Sequence, residues 1–343
     1  MLKKSIVGLS LYKLQDIVVG LGLQKFVAKQ LIDWVYSKRI TNLDQITNIS
    51  KKNLELLSKQ LCVGRTPYSK RVVSEDGTCK YLFQTDHGNI ESVMIPEGDR
   101  STICVSSQVG CKMNCQFCMT GKCGFAGNLT TGEILNQVMS IDESDSLTNI
   151  VFMGMGEPMD NLGELLPALE ILTSEWGFGM SPKRITVSTS GLIDKTERFL
   201  KESDCHLAIS LHNPIPEERA EIMPIERSNK LRDLISMLKG YDFSHQRRLS
   251  FEYIVFEGKN DSLLHAKELV GLLKGLDCRV NLIRFHKVEG LDFMSPTTEK
   301  IEQFRDYLSK RGITTTIRRS RGEDIDAACG QLKNKEEQCK KTL

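Results

Sequence analysis

Three thiols stand close together in Gly110-Cys111-Lys112-Met113-Asn114-Cys115-Gln116-Phe117-Cys118, a C-x₃-C-x₂-C spacing on one short segment. Thiolates so placed can each hold one iron of a [4Fe–4S] cube, leaving the fourth iron without a protein ligand. An electron carrier fills that corner with a fourth cysteine, whereas an open corner can bind and reduce a small molecule. A structural zinc site is the other reading of closely spaced cysteines. It closes its tetrahedron with a second pair, and no second pair is visible in the sequence. Cys123 falls outside the spacing and reads as a packed thiol.

The remaining cysteines do not suggest a disulfide framework. The chain has 11 cysteines in 343 residues, an odd number scattered from Cys62 to Cys339. The N-terminal apolar stretch is too short for a secretory core, and no apolar run reaches the ~20 residues that span a membrane. A cytoplasmic location is expected, where thiols stay reduced and serve as ligands or nucleophiles. Charge is uneven: residues 1–73 carry 13 Lys/Arg against 4 Asp/Glu, so +9, while the overall charge is +2. A basic appendage on a mildly acidic body suggests a polyanion partner.

These residues need a scaffold, and the pattern changes twice along the chain. The first 65 residues read as short amphipathic helices, with Ser10 and Ser50 as caps and Phe26 and Trp34 as core residues. From Arg71 to Ile95 three alternating strands are separated by the turns Glu75-Asp76-Gly77 and Asp86-His87-Gly88. After residue 100, apolar runs at 102–106, 149–153, 184–188, 206–211, 249–256 and 279–285 alternate with helical patterns at 130–141, 162–175, 191–203, 215–240, 261–275 and 297–311. A last strand is expected at 314–318. Six βα units in series imply an α/β fold with a parallel sheet and right-handed crossovers. The expected architecture is a partial (β/α)₆ TIM-like barrel, with a flat doubly wound sheet as the alternative. The expected domains are a basic helical accessory domain suited to a polyanion (1–70), a β extension (71–96), the barrel core (97–330) and a C-terminal tail (331–343).

In such barrels chemistry collects on the loops after the strand C-terminal ends. The cysteine triplet follows the first strand. Gly154-Met155-Gly156-Glu157-Pro158 follows the second, with glycines for close backbone approach and Glu157 as a carboxylate for a ligand ammonium. Ser188 ends the third strand, Ser210-Leu211-His212 the fourth, and His286 the sixth. Taken singly, each could be a helix cap or a satisfied polar residue. Together on one face they favour a ligand site.

The segments Cys104-Val-Ser-Ser-Gln-Val-Gly-Cys111, Gly154-Met-Gly-Glu-Pro158, Ser188-Thr-Ser-Gly191, Ala208-Ile-Ser-Leu-His212 and Arg321-Gly-Glu-Asp-Ile-Asp-Ala-Ala-Cys-Gly-Gln331 resemble those of the RlmN/Cfr family of radical S-adenosylmethionine (SAM) RNA methyltransferases, and are more similar to the RlmN branch. The resemblance runs over essentially the whole chain. It implies a radical SAM barrel, one [4Fe–4S] cluster on Cys111, Cys115 and Cys118, and SAM held by Gly156, Glu157, Ser188, Ser210, Leu211, His212 and His286. The RlmN pattern usually has Asn at the last position, where His286 can also donate a hydrogen bond. The implied substrates are an adenine of 23S rRNA near the peptidyl-transferase centre and one beside the anticodon in tRNA, both methylated at C2.

That carbon has no lone pair to attack a sulfonium, so direct methyl transfer fails and a radical route is needed. By the resemblance, Cys329 accepts a methyl group from one SAM. A second SAM, cleaved to a 5′-deoxyadenosyl radical, removes hydrogen from it, and the methylene radical adds to C2. Glu91 then accepts the C2 proton, and Cys104 attacks the Cys329 sulfur to release the product, leaving a disulfide. Read alone, Glu91 is equally an exposed strand carboxylate and Cys104 an inert buried thiol. A flavodoxin-type reductant, a monomeric state and no membrane partner are also expected. The competing readings are a Cfr-like enzyme acting at adenine C8 and an iron–sulfur RNA-binding redox regulator without methyl transfer.

Overall fold

The computed structural model describes residues 3–244, 247–286, 290–328 and 330–332. Cys329, Cys339 and the rest of the tail lie outside the described residues. Seven parallel strands form the core of one ten-stranded sheet: Arg100–Cys104, Asn149–Phe152, Ile185–Thr189, His206–Ser210, Leu249–Val255, Arg279–Arg284 and Thr314–Arg318. They lie side by side in chain order, each paired in parallel with the next. A doubly wound sheet reverses its order in the middle, so this unbroken order is that of a barrel wall. Six crossover helices follow the first six strands, from Thr131–Met139 to Thr298–Ser309, and successive ones pack against each other. Right-handed crossovers put them all on the outer face.

The wall does not close. Beyond Arg100–Cys104 the sheet continues through three antiparallel strands, Gly88–Glu97, Cys79–Thr85 and Lys70–Val73. The tight turn Asp86-His87 connects the first two of these, with Thr85 paired to Gly88. The fifth parallel strand, Leu249–Val255, is buried along its whole length, as a central strand covered on both faces should be.

Local chemistry sets the helix limits. Thr130 and Glu133 form a reciprocal capping box at the first crossover helix, and Ser262 and Thr297 cap the last two. The helical pattern expected over 215–240 is instead Pro216–Ile222, a 3₁₀ turn Pro224–Arg227 and Leu231–Leu238. Pro224 cannot donate to a helix and forces Met223 into extended backbone. The N-terminal region holds helices Leu11–Gly20, Phe26–Ile32 and Lys51–Ser58, the first and last capped by Ser10 and Ser50. Phe26 is not a core residue. It opens its helix and is 60% exposed, while Trp34 is half-buried and donates to Asn48. A small parallel pair, Lys4–Ser5 with Leu61–Cys62, ties the ends of this region together and has no clear sequence signal. Among the described residues no helix is long and apolar enough to cross a membrane.

Candidate functional site

The loops after the strands meet over a cavity of about 1150 Å³. The first loop carries the cysteine triplet, held at its base by a short antiparallel pair, Gln108–Gly110 with Phe125–Asn128. Cys111, Cys115 and Cys118 all line the cavity, backed by an apolar cluster that includes Phe117, Met223 and Phe256. Burial pushes the Cys111 thiol up to about 12 and Cys115 well above its ordinary value. Thiols in such surroundings stay protonated until a metal draws the protons off. Among the described residues no three His, Cys, Asp or Glu side chains gather tightly enough to hold one ion. A cube takes one thiolate per iron, so its ligands stand farther apart than those of a single zinc ion. Three half-buried thiols on one cavity wall fit that donor set.

The second loop presents Gly154, Gly156 and Glu157 to the same cavity. Gly156 has φ +99°, and a Cβ there would lie 2.5 Å from the Gln108 side chain, so the turn requires glycine. Gln108 fixes this loop: its Oε1 accepts from Glu157 N at 2.9 Å, and its Nε2 donates to Asp160 and Asn128. Glu157 is buried, which raises its pKa, and its two oxygens accept from Met159 N and Ser190 N at 3.1 and 2.7 Å. The carboxylate is thus aimed by backbone donors, and its remaining lone pairs can take a ligand ammonium.

Ser188, Ser210 and His212 also line the cavity, whereas the side chain of Leu211 is wholly buried behind it. His212 has φ +55°, and its Nδ1 accepts from Ile254 N at 3.0 Å, so Nε2 carries the proton. Burial, with Arg219 nearby, holds its pKa down at about 3, and the imidazole is neutral. Its ring packs edge-on against Phe117 between two of the cysteines, with centroids 4.8 Å apart.

Arg219 is a residue the sequence did not signal. It is 1% exposed, pairs with buried Glu226, and donates to the carbonyls of Leu211, Ser190 and Ser210 at 2.9–3.0 Å. One guanidinium therefore gathers the loops after the third and fourth strands. A lone Arg in a helical stretch gives no hint of this.

Cys104 ends the first strand and lines the cavity wall, paired in register with Val93. Glu91 sits two residues before Val93, on the same face of its strand but off the cavity wall. It is 7% exposed, so the exposed-carboxylate alternative does not hold, and Lys80 Nζ pairs with it at 3.2 Å. Lys80 also donates to the Asp326 carbonyl, in the loop that leads to Cys329. Ala328 and Gly330, on either side of Cys329, line the cavity, and the Gly330 carbonyl accepts from Met119 N just after the triplet. His286 does not join the others. It lines an adjoining cavity, bonded to Ser320 at 2.6 Å and facing Glu323 at 3.4 Å. The two cavities share a wall that includes Val151, Met153, Glu252, Arg318, Ala327 and Ala328.

Comparison with known proteins agrees with this arrangement. Residues 105–270 match the Radical SAM superfamily, and residues 4–63 match the ribosomal RNA large subunit methyltransferase N-terminal domain. The chain is 55% identical over 331 residues to a probable dual-specificity RNA methyltransferase RlmN of Bacteroides fragilis, covering 96% of both chains. It is 41% identical to the dual-specificity RNA methyltransferase RlmN of Geotalea uraniireducens, covering 97% of each. The crystal structure of a radical SAM methyltransferase from Sphaerobacter thermophilus superimposes with a TM-score of 0.90 at 38% identity, over 96% of this chain and 99% of that one. With full-length relatives above half identity and a matching barrel, the chain belongs to the RlmN family of the radical SAM superfamily.

Proposed function

We propose that this chain is an RNA methyltransferase that places a methyl group on C2 of an adenine, in 23S rRNA and in tRNA beside the anticodon, through a methylated Cys329. The observation that carries this reading is the shared wall: the cysteine triplet, Cys104 and the residues flanking Cys329 all face one cavity. With a [4Fe–4S] cluster on Cys111, Cys115 and Cys118, one-electron reduction of SAM supplies the radical that takes a hydrogen atom from S-methyl Cys329. Glu157 orients the SAM ammonium, while Ser188, Ser210 and neutral His212 offer hydrogen bonds, and His286 contributes from the adjoining cavity. The Cys329 methylene radical then joins C2; the adduct would give one electron back to the oxidised cluster and its C2 proton to Glu91, with Lys80 beside it, and the Cys104 thiolate attacks the Cys329 sulfur. That attack breaks the carbon–sulfur bond and forms a disulfide, and the methylene carbon left on the base takes up a proton to become the methyl group. The two electrons needed to reopen it come from a reductant, for which a flavodoxin-type protein is suited.

The domain limits given above, a monomeric state and action in the cytoplasm belong to the same reading. The basic residues at 1–73 support RNA as the macromolecular partner. The test is anaerobic turnover of the cluster-loaded protein with SAM, reductant and RNA, followed by mass spectrometry of the nucleosides. 2-Methyladenosine is expected. 8-Methyladenosine would move the chain to the Cfr-like chemistry, and no methyladenosine from a cluster-loaded, SAM-cleaving protein would leave a regulator.

A further inference from the structure

At the end of the barrel opposite the cysteine triplet, the strand starts carry a ring of cations. Arg100 opens the first parallel strand, Lys183 lies two residues before the third, Arg248 one residue before the fifth, and Arg279 opens the sixth. All four are exposed, and their side chains make no hydrogen bond or ion pair among the described residues. Arg247, beside Arg248, is more enclosed: it reaches Asp204 at 3.7 Å and donates to the Leu200 carbonyl, but its Nε is buried without an acceptor. Other acids do not balance the ring. Glu252 is taken by Arg318 and Asn281, which leaves Asp277 and Glu97 on these walls.

His206 opens the fourth strand in the middle of the ring and is 6% exposed. Its Nδ1 accepts from Arg248 N at 2.8 Å, so the proton sits on Nε2. Burial, together with Arg248, Lys183, Arg247 and Arg279, pushes its pKa down to about 4. The imidazole is therefore neutral, and its Nε2–H is a donor without a partner among the described residues, on the wall of both cavities at this end.

Like charges that outnumber the acids beside them cost stability, and the strand starts of a barrel are where side chains ordinarily serve stability. A ring of unpaired cations around a neutral, unpartnered imidazole donor does the opposite, unless an anion occupies it. Its breadth speaks to the kind of anion. Strands lie roughly 4.8 Å apart, so the third to the sixth span about 14 Å, more than one phosphate covers. The larger cavity here, about 2030 Å³, runs from Arg100, Arg248 and Arg279 to Arg318 and Ala328 beside the reaction cavity. We propose that this ring binds consecutive phosphates of the RNA substrate's backbone, on the barrel face opposite the cysteine triplet. The proposal rests on the RNA methyltransferase reading above.

The test compares the cluster-loaded full chain with its Arg248→Glu/Arg279→Glu variant, binding a labelled tRNA transcript over a range of KCl concentrations. Each lost phosphate contact removes about 0.7–0.9 from the slope of log affinity against log salt, so with two arginines replaced a slope shallower by about 1.4–1.8 and weaker binding are expected. Arg248→Gln/Arg279→Gln should give the same slope change and serves if the reversed charges prevent folding, as judged by circular dichroism and the cluster's visible absorption. Unchanged affinity and slope in a folded variant would overturn the proposal. So would a variant that loses binding of inorganic pyrophosphate but keeps its RNA slope, because the site would then serve a free phosphate compound. A wild-type protein that shows the ring-dependent slope yet makes no methyladenosine refutes the methyltransferase reading while leaving the RNA contact standing.

Discussion

Cys104 faces the cavity from a strand end, and Ala328 and Gly330 bring the chain on either side of Cys329 to the same wall. If Cys329 carries the methylene and Cys104 releases it, Cys104→Ala should stall after the carbon–carbon bond forms. Protein covalently joined to RNA should then accumulate, because release needs an attacking thiolate. Cys329→Ala should give no adduct, and the double variant should behave like Cys329→Ala. Denaturing gels with and without ribonuclease read this directly, and normal turnover of Cys104→Ala without a crosslink would refute the two-thiol pathway. His212 supports a second expectation. Its pKa is about 3 in the folded chain against an ordinary 6.5, so as pH falls the unfolded chain takes up the proton first. The stability advantage of neutral, buried His212 is complete above about pH 6.5 and is lost on acidification. Glu157, raised by burial, acts in the opposite sense, so the comparison is with His212→Asn rather than with pH alone. The stability gap between wild type and variant should shrink by about 2 kcal/mol from pH 7.5 to pH 5, measured by urea denaturation. A constant gap would show that the imidazole is not held neutral. The thiols were legible because their spacing is itself chemistry. The tautomer of His212 was not, because it depends on a hydrogen bond to Ile254, 42 residues away.

The loops are arranged by residues that touch no ligand. Arg219 spans the carbonyls after the third and fourth strands while its charge is met by Glu226. Arg219→Met strands a buried carboxylate and should cost about 3–5 kcal/mol in urea denaturation. Replacing both partners, Arg219→Met/Glu226→Leu, separates two explanations. If the ion pair alone mattered, a well-packed apolar pair would restore most of the stability. We expect little recovery, because the Leu211, Ser190 and Ser210 carbonyls still lose their donor. Near-complete recovery would refute the strut role. The order of strands and crossover helices was legible from alternating apolar runs and caps, since period and turn chemistry are local. The split of the 215–240 segment was half-legible. Pro224 marks the break, but the tight turn that brings Arg219 and Glu226 together depends on packing. Phe26 departs from its expected place for the same reason: helical spacing puts it on an apolar stripe, yet it opens its helix and stays 60% exposed.

The basic N-terminal region reads from composition as an appendage, but its contacts make it part of the barrel. Gly8 packs so closely on Gly132 that a Cβ would lie 2.7 Å from its backbone nitrogen. The Tyr36 ring lies 5.7 Å from that of Phe178, and Arg39 donates to Ser144 and pairs with Asp145. Thr66 N donates to buried Asn136 in the first crossover helix, which donates back to the Thr66 carbonyl. Leu14, Val18 and Leu31 belong to the same continuous core as Leu135, Val138 and Phe152. Charge and hydrophobic period along a chain cannot show such joining, because each contact links residues about 70 to 140 positions apart. A linker-tethered module would melt by itself, whereas elements sharing one buried core lose their packing together. The chain has two tryptophans, Trp34 in this region and Trp176 after the second crossover helix, so Trp176→Phe leaves Trp34 as the sole fluorescent reporter of the N-terminal part. Its fluorescence and the far-ultraviolet circular dichroism of the whole chain should then trace one urea transition with a common midpoint. A Trp34 midpoint well below that of the circular dichroism would show the region unfolding first and would refute the shared core as the source of its stability.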